Sequence, residues 1–277
     1  MKRPDVSRGS VEQALVAKAR AGAELVTGFS VDRAGYEQCL RRVETWLTET
    51  RQDVAGGRYF VCANPHSLEM ARADPQFARA IEDADLVVPD GIGVVLASRL
   101  AGGAIRERVT GMMLFLGVSG LLNARGGSVY FLGSAQPVLE RITSRLSLEY
   151  PRIRIVGAVS PPFAPSIPPD VNDRIVNDIN AARPDVVWVG MTAPKQEKWI
   201  HHNRALVHAK LLGPIGGAFD FYAGTLTRSS PWFQDHGLEW LPRLLREPRR
   251  LWRRSFVSAP RFLSRALLDA RFRRKDS

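Results

Sequence analysis

The chain of 277 residues has almost no cysteine: only Cys39 and Cys62, in neither CxxC nor metal-ligand spacing. No disulfide framework is implied, and a reducing cytoplasm suits such a chain. Its five histidines are scattered, apart from the adjacent His201 and His202, which point in different directions on a helix. No zinc set emerges. Long hydrophobic runs are missing too. The longest stretch without charge, Val109 to Ala124, has sixteen residues and is broken by Gly111, Gly117, Ser119 and Gly120. A spanning helix needs about 20 apolar residues, so a buried helix is expected there. The first 21 residues lack the apolar core of a signal peptide. A soluble or peripheral protein is therefore expected. No G-x-G-x-x-G follows a strand, and neither G-x-x-x-x-G-K-[ST] nor G-x-S-x-G occurs. Dinucleotide folds, P-loop NTPases and serine hydrolases are thus left without their fingerprints.

Positive charge is plentiful but confined. The net charge is +11, and from Arg243 to Ser277 twelve Lys and Arg stand against three Asp and Glu. Nine of the eleven charges therefore lie after residue 242, and the body is nearly neutral. A tail of this kind suits an anionic polymer or an anionic membrane surface. Its arginines alternate with Leu238, Leu241, Leu244, Leu245, Leu251, Trp252, Phe256 and Phe262. That is the composition of interfacial amphipathic helices; a nucleic-acid tail is usually more polar. A basic helix packed on the protein's own body is the other reading.

The first 28 residues are small and polar, with one short helix expected over Val11 to Arg20. Ser30 is expected to cap a helix carrying Tyr36, Leu40, Val43 and Leu47. From there strands alternate with helices. Apolar runs at Arg58–Ala63, Leu86–Pro89, Ser128–Gly133, Ile153–Val159, Asp185–Met191 and Ala209–Ile215 read as strands. They are near-continuous rather than alternating, which predicts a parallel sheet covered on both faces. The expected architecture is α/β: a Rossmann-like, mostly parallel sheet with helices on both faces and a basic helical appendage. The expected divisions are an N-terminal extension (1–28), a catalytic domain (29–228) and the appendage (229–277).

In such sheets ligands bind beyond the carboxyl ends of the strands. Polar and glycine-rich text collects there: Asn64, Asp90 with Gly91, Gly133 with Ser134, Gly190 through Lys195, Gln196 and Glu197, and Gly216-Gly217 with Asp220. Glycines and helix N-termini at one edge suit phosphate groups. Asp90 follows a strand and precedes a helix; Asp in that position is also a common N-cap. Asp83-Ala84-Asp85 matches a metal-binding D-x-D, but it precedes its strand rather than following it. Without a metal, a leaving diphosphate needs fixed positive charge, which Arg106 and Arg108 can supply.

Taken together these motifs resemble the WecG/TagA/CpsF family of bacterial glycosyltransferases, also called glycosyltransferase family 26. The matching text is Asn64-Pro65, Ala84 to Gly93, Glu107-Arg108-Val109-Thr110-Gly111, Leu132 to Ser134, Ala193 to Trp199, Gly216 to Asp220 and Gly237 to Leu241. It spans roughly Phe29 to Phe262. The resemblance implies an inverting transfer of a hexose (N-acetylmannosamine, its uronic acid or glucose) from a UDP-sugar. The implied acceptor is a polyprenyl-diphosphate-linked sugar, on the way to a surface or secreted polysaccharide. It implies no metal cofactor and no nucleic acid. It places the protein at the cytoplasmic face of a bacterial inner membrane and leaves a homo-oligomer open. It makes Asp90 the general base and sets Arg108 and Gln196 at the donor's diphosphate and sugar, with Asp220 near the nucleotide. Thr110 lies in the same matched block as Arg108. Arg243, Arg250 and Arg253 match appendage arginines that close over the diphosphate. Two features depart from the family. Cys62 stands where Thr is frequent, and Pro161-Pro162-Phe163 differs from some members. Two rivals carry other expectations: a basic-tailed nucleotide- or nucleic-acid-binding regulator, and a glycoside hydrolase with Glu197 as its second carboxylate.

Overall fold

The computed structural model describes residues 19–49, 56–164, 166–226 and 252–273, the last without the side chains of 253–255 and 271–273. Six parallel strands form the central sheet: β3 (Arg58–Ala63), β4 (Leu86–Pro89), β5 (Ser128–Gly133), β6 (Arg154–Val159), β7 (Val186–Gly190) and β8 (Leu211–Pro214). Their order is β4-β3-β8-β7-β5-β6. The chain steps outward from β3 to β4 and from β5 to β6, then returns inward through β7 and β8. Crevices therefore open at the carboxyl edge where the direction reverses, between β3 and β8 and between β5 and β7.

Why the strands are apolar throughout is visible in the core. Tyr59, Val61, Val87, Tyr130, Leu132, Val187, Val189 and Leu212 join one buried cluster. Their alternate neighbours Phe60, Leu86, Val88, Val129, Phe131, Val186, Trp188 and Leu211 join another on the opposite face. The two-residue period of a strand sends successive side chains to opposite faces, and both faces are covered. The first face is roofed by α2 (Pro65–Ala73), α3 (Pro75–Glu82), α4 (Ile92–Leu100), α7 (Pro169–Ala182) and α8 (Lys195–Asn203). The second is covered by α1 (Tyr36–Thr48), α5 (Gly111–Arg125), α6 (Gln136–Glu149) and the short α9 (Ala218–Tyr222). Trp188 is fully buried against Phe115 and Phe60, in edge-to-face contact with each.

Several helix starts follow from local chemistry. Asn64 caps α2: its carbonyl oxygen accepts from His66 and Ser67, and Ser67 Oγ accepts from the Asn64 N–H, completing a capping box. Asp74 caps α3 with Pro75 at the first helical position. The expected Ser30 cap is corrected: Ser30 lies in a strand, its hydroxyl accepts from the Arg20 N–H, and α1 starts after Gly35 without a side-chain cap.

That strand belongs to an antiparallel hairpin, β1 (Ala23–Val26) and β2 (Phe29–Asp32), outside the main sheet. Thr27 and Gly28 form its two-residue turn with φ of +48° and +88°. Left-handed backbone at both positions is what such a turn needs. The 28/29 division falls inside this turn, and the helix expected over Val11 to Arg20 lies almost wholly outside the described residues. Asp32 is buried, and its carboxylate accepts from the Val87 N–H at 2.8 Å while pairing with Arg20 and Arg42. It thereby occupies a donor on the free edge of β4.

At the other end, a π-helical turn (Arg253–Ser258) leads into α10 (Ala259–Arg273). Phe262, Ala266 and Ala270 are buried at four-residue spacing, a stripe on one side of the helix. The stripe packs on α2 and α4. Arg265 pairs with Glu69 at 3.3 Å, and Ser258 Oγ lies 2.8 Å from His66 Nδ1. The end of the basic segment is thus docked on the body, beside the helices that start at Asn64 and Gly91.

Candidate active site

Asp90 leaves the sheet at the end of β4. Ala63 pairs with Pro89 in the register of β3 and β4, so Asn64 and Asp90 emerge side by side. The Asp90 N–H donates to Ala63 O at 2.8 Å. Asp90 does not cap the helix that follows; Gly91 holds that position with φ of +101°. A residue with a side chain is strained at that φ, and nothing lies within 4 Å of the point a Cβ would take. Half-buried Asp90 therefore sits at the carboxyl end of β4, directly before the glycine that opens α4.

The loop from Arg106 to Thr110 is stitched to the same strand. The Val109 N–H donates to Pro89 O at 2.9 Å, and Glu107 accepts from the Tyr36 N–H at 3.1 Å. These bonds hold Arg108, half-buried, next to the end of β4. Arg106 is exposed, and its guanidinium bonds Gly103 O and Ile105 O. Thr110 caps α5, its hydroxyl accepting from Met113.

Across the sheet, Gly133 and Gly190 are register partners, and both are glycine for reasons of packing. A Cβ on Gly133 would lie 2.8 Å from Gly190 O, and one on Gly190 only 2.1 Å from the Phe219 ring. Ser134 has φ of +66°, and its carbonyl accepts from Ser160 Oγ. Lys195 Nζ donates to Ala164 O at 2.8 Å, which ties the proline-rich loop to the start of α8. Gly217 has open space where a Cβ would stand. Asp220 sits half-buried on α9 and accepts from Thr225.

Gln196 and Glu197 are the deeply buried polar pair of the site, 6 % and 3 % exposed. Gln196 Nε2 donates to Glu197 Oε1 at 2.8 Å. Gln196 Oε1 and Glu197 Oε2 are covered and have no hydrogen-bond partner. Burial raises the Glu197 carboxyl from its ordinary 4.5 to about 7, against the opposing pull of the Gln196 amide. The Cys62 thiol is also pushed well up, first by burial, then by Asp90, then by Glu197. A Cβ on Gly111, which opens α5, would lie 3.3 Å from Cys62 Sγ. Cys62 is thus within electrostatic reach of both carboxyls.

A stability prediction follows from Glu197. Its folded pKa lies above its unfolded value, so its contribution is fully present below about 4.5 and is lost as pH rises through about 7. The shift corresponds to roughly 3 kcal/mol. Glu197→Gln is expected to gain stability relative to wild type across that window and to be level with it below the window, read by denaturant titration at each pH. A difference that does not change with pH contradicts the assignment.

Asp83 and Asp85 sit at the opposite, amino-terminal edge of the sheet. Asp83 Oδ2 is 2.8 Å from His201 Nε2; Asp85 accepts from the Tyr59 N–H and pairs with Arg58 and Arg204. Among the described residues no cluster of His, Cys, Asp and Glu is arranged to hold a metal ion. Arg243 and Arg250 lie outside the described residues; the backbone of Arg253 opens the π-helical turn, and its side chain is not described. The Ser258–His66 contact carries no local sequence signal, because it joins residues 192 positions apart.

The model of the WecG/TagA/CpsF glycosyl transferase family matches residues 24–276. The chain is 32 % identical over 225 residues to the N-acetylglucosaminyldiphosphoundecaprenol N-acetyl-beta-D-mannosaminyltransferase of Bacillus spizizenii, covering 81 % of this chain and 84 % of that protein. The protein of the same name from Bacillus subtilis is 31 % identical over 74 % of this chain and 77 % of its own length. That of Staphylococcus aureus is 26 % identical over 82 % and 86 %.

Proposed function

The chain belongs to the WecG/TagA/CpsF glycosyltransferase family, and from that premise we propose that it moves a hexose from a UDP-sugar to a polyprenyl-diphosphate-linked sugar with inversion. N-acetylmannosamine is the first donor sugar to test, because the chain's relatives are named for transferring it to N-acetylglucosaminyldiphosphoundecaprenol. One observation carries the reading: the Asp90 carboxylate at the carboxyl end of β4, with the Arg108 loop bonded to the same strand. Asp90 accepts the proton of the attacking acceptor hydroxyl. A carboxylate there also stabilises positive charge growing on the sugar ring. Arg108 and the arginines of the appendage offset the charge that builds on the leaving UDP.

The acceptor is a lipid, and the surface beside the site suits one. Ile92, Leu96 and Leu100 of α4 are exposed, as are Trp252, Phe256 and Leu267 of the docked segment. No helix among the described residues is long and apolar enough to cross a membrane. Apolar side chains among arginines fit an interface with an anionic leaflet on the cytoplasmic side. The pathway would be that of a surface or secreted polysaccharide.

The test is a panel of UDP-sugars with a short lipid-diphosphate-sugar acceptor, reading UDP release and product. Acceptor-dependent release is expected from one donor, undiminished by excess EDTA, since arginines take the place of a divalent ion. Release restored only by added magnesium or manganese would overturn the metal-free reading. Free sugar without acceptor would favour hydrolysis instead.

A further inference from the structure

The Gln196–Glu197 pair has more order than packing requires. A buried amide can turn over and present either its oxygen or its NH2 to a neighbour. Here the NH2 donates to Glu197 and the carbonyl oxygen is left without a partner, while the whole amide lies beside the bare face of Gly216: a Cβ there would stand 3.3 Å from Oε1 and 3.4 Å from Nε2. The Gly216-Gly217 turn follows β8, at the crevice between β8 and β3. Gly216 has φ of +45°, and Gly217 has open space where a Cβ would stand. A buried carbonyl without a partner is costly and rare, and its occurrence at a site calls for a function.

We propose that Glu197 is a positioning residue: it takes the Gln196 NH2 and so turns the Gln196 carbonyl toward the Gly216 turn, as the acceptor for a hydroxyl or amide N–H of the donor hexose. The inference rests on the glycosyltransferase reading above and extends it to a residue that does not itself touch the sugar. An ionised carboxylate can only accept, so it holds the amide one way round. A protonated carboxyl, or a glutamine, offers a donor as well and permits both orientations. Among the described residues, the thiol of Cys62 on β3 is the titratable group coupled to Glu197; Lys195 and Lys198 of α8 are engaged elsewhere, with Ala164 O and Asp74.

The experiment measures donor KM and kcat against pH for wild type and Glu197→Gln, using whichever UDP-sugar the panel selects. In wild type, KM is expected to rise roughly tenfold as pH falls through about 7. In Glu197→Gln it should be high at every pH, with kcat at saturating donor within about twofold of wild type. A variant with wild-type KM and the wild-type pH profile overturns the proposal. A second readout needs neither turnover nor a variant that folds. In wild-type protein labelled at glutamine side-chain nitrogen, the Gln196 NH2 should titrate with a midpoint near 7. Absence of that titration overturns the proposal even if transfer is observed. Absence of transfer from every UDP-sugar overturns the glycosyltransferase reading and leaves this titration to be judged by itself.

Discussion

Asp90→Asn is expected to lower turnover by about 10²–10⁴ while leaving UDP affinity within about twofold. The change removes a base and keeps the shape. The Asp90 N–H donates to Ala63 O, and that backbone bond survives the substitution. The side chain does not cap α4, so the helix start does not depend on it. Asparagine cannot take the proton from the acceptor hydroxyl at neutral pH, nor offset positive charge on the sugar ring. Stopped turnover with intact UDP binding and an unchanged thermal midpoint is the expected signature. Turnover near wild type would remove Asp90 from the chemistry.

The second large effect belongs to the basic segment. Deleting residues 243–277 is expected to release the protein from anionic vesicles and to lower turnover even on a short, water-soluble acceptor. The segment carries twelve of the 39 Lys and Arg. Each contributes about 1 kcal/mol near an anionic leaflet, so four engaged residues give on the order of 10³ in partitioning. The deletion also uncovers the faces of α2 and α4 on which Phe262 and Ala266 pack. Phe262→Ala separates the two roles, because it keeps every charge and loosens the docking. A fully buried Phe costs about 3–5 kcal/mol when truncated. The variant should bind vesicles as wild type does and lose stability, and turnover should fall if the docked segment helps build the site. A deletion that stays on vesicles and turns over the soluble acceptor normally would show the segment to be neither anchor nor closure.

What could be read in the sequence was what local chemistry determines. β3, β4 and β5 fall on the expected residues because each is an apolar run with a sharp stop: Asn64-Pro65, Pro89-Asp90-Gly91, Gly133-Ser134. Strand ends in a parallel sheet share one edge, so the residues of the candidate site were expected together before their distances were known. The hairpin was missed because its turn is Thr27-Gly28, a weaker signal than Asn-Gly, and because β2 is buried on every residue instead of alternating. Ser30 was misplaced for the same reason: without the hairpin, a serine six residues before Tyr36 resembles a cap. Gln196 and Glu197 could be picked out by position, but not the hydrogen bond between them or the two atoms left over. Those depend on how α8 meets Gly216, a long-range fit that no local pattern encodes.

The most direct test of inverting transfer at the Asp90 edge is the anomeric configuration of the product. An α-linked UDP-hexose is supplied with a lipid-diphosphate-linked acceptor, and the new linkage is read by the one-bond C–H coupling of its anomeric carbon. Direct attack by a hydroxyl activated at Asp90 predicts a β linkage, formed by wild type and nearly abolished in Asp90→Asn. An α linkage, or a β product formed equally well by the variant, would contradict the account.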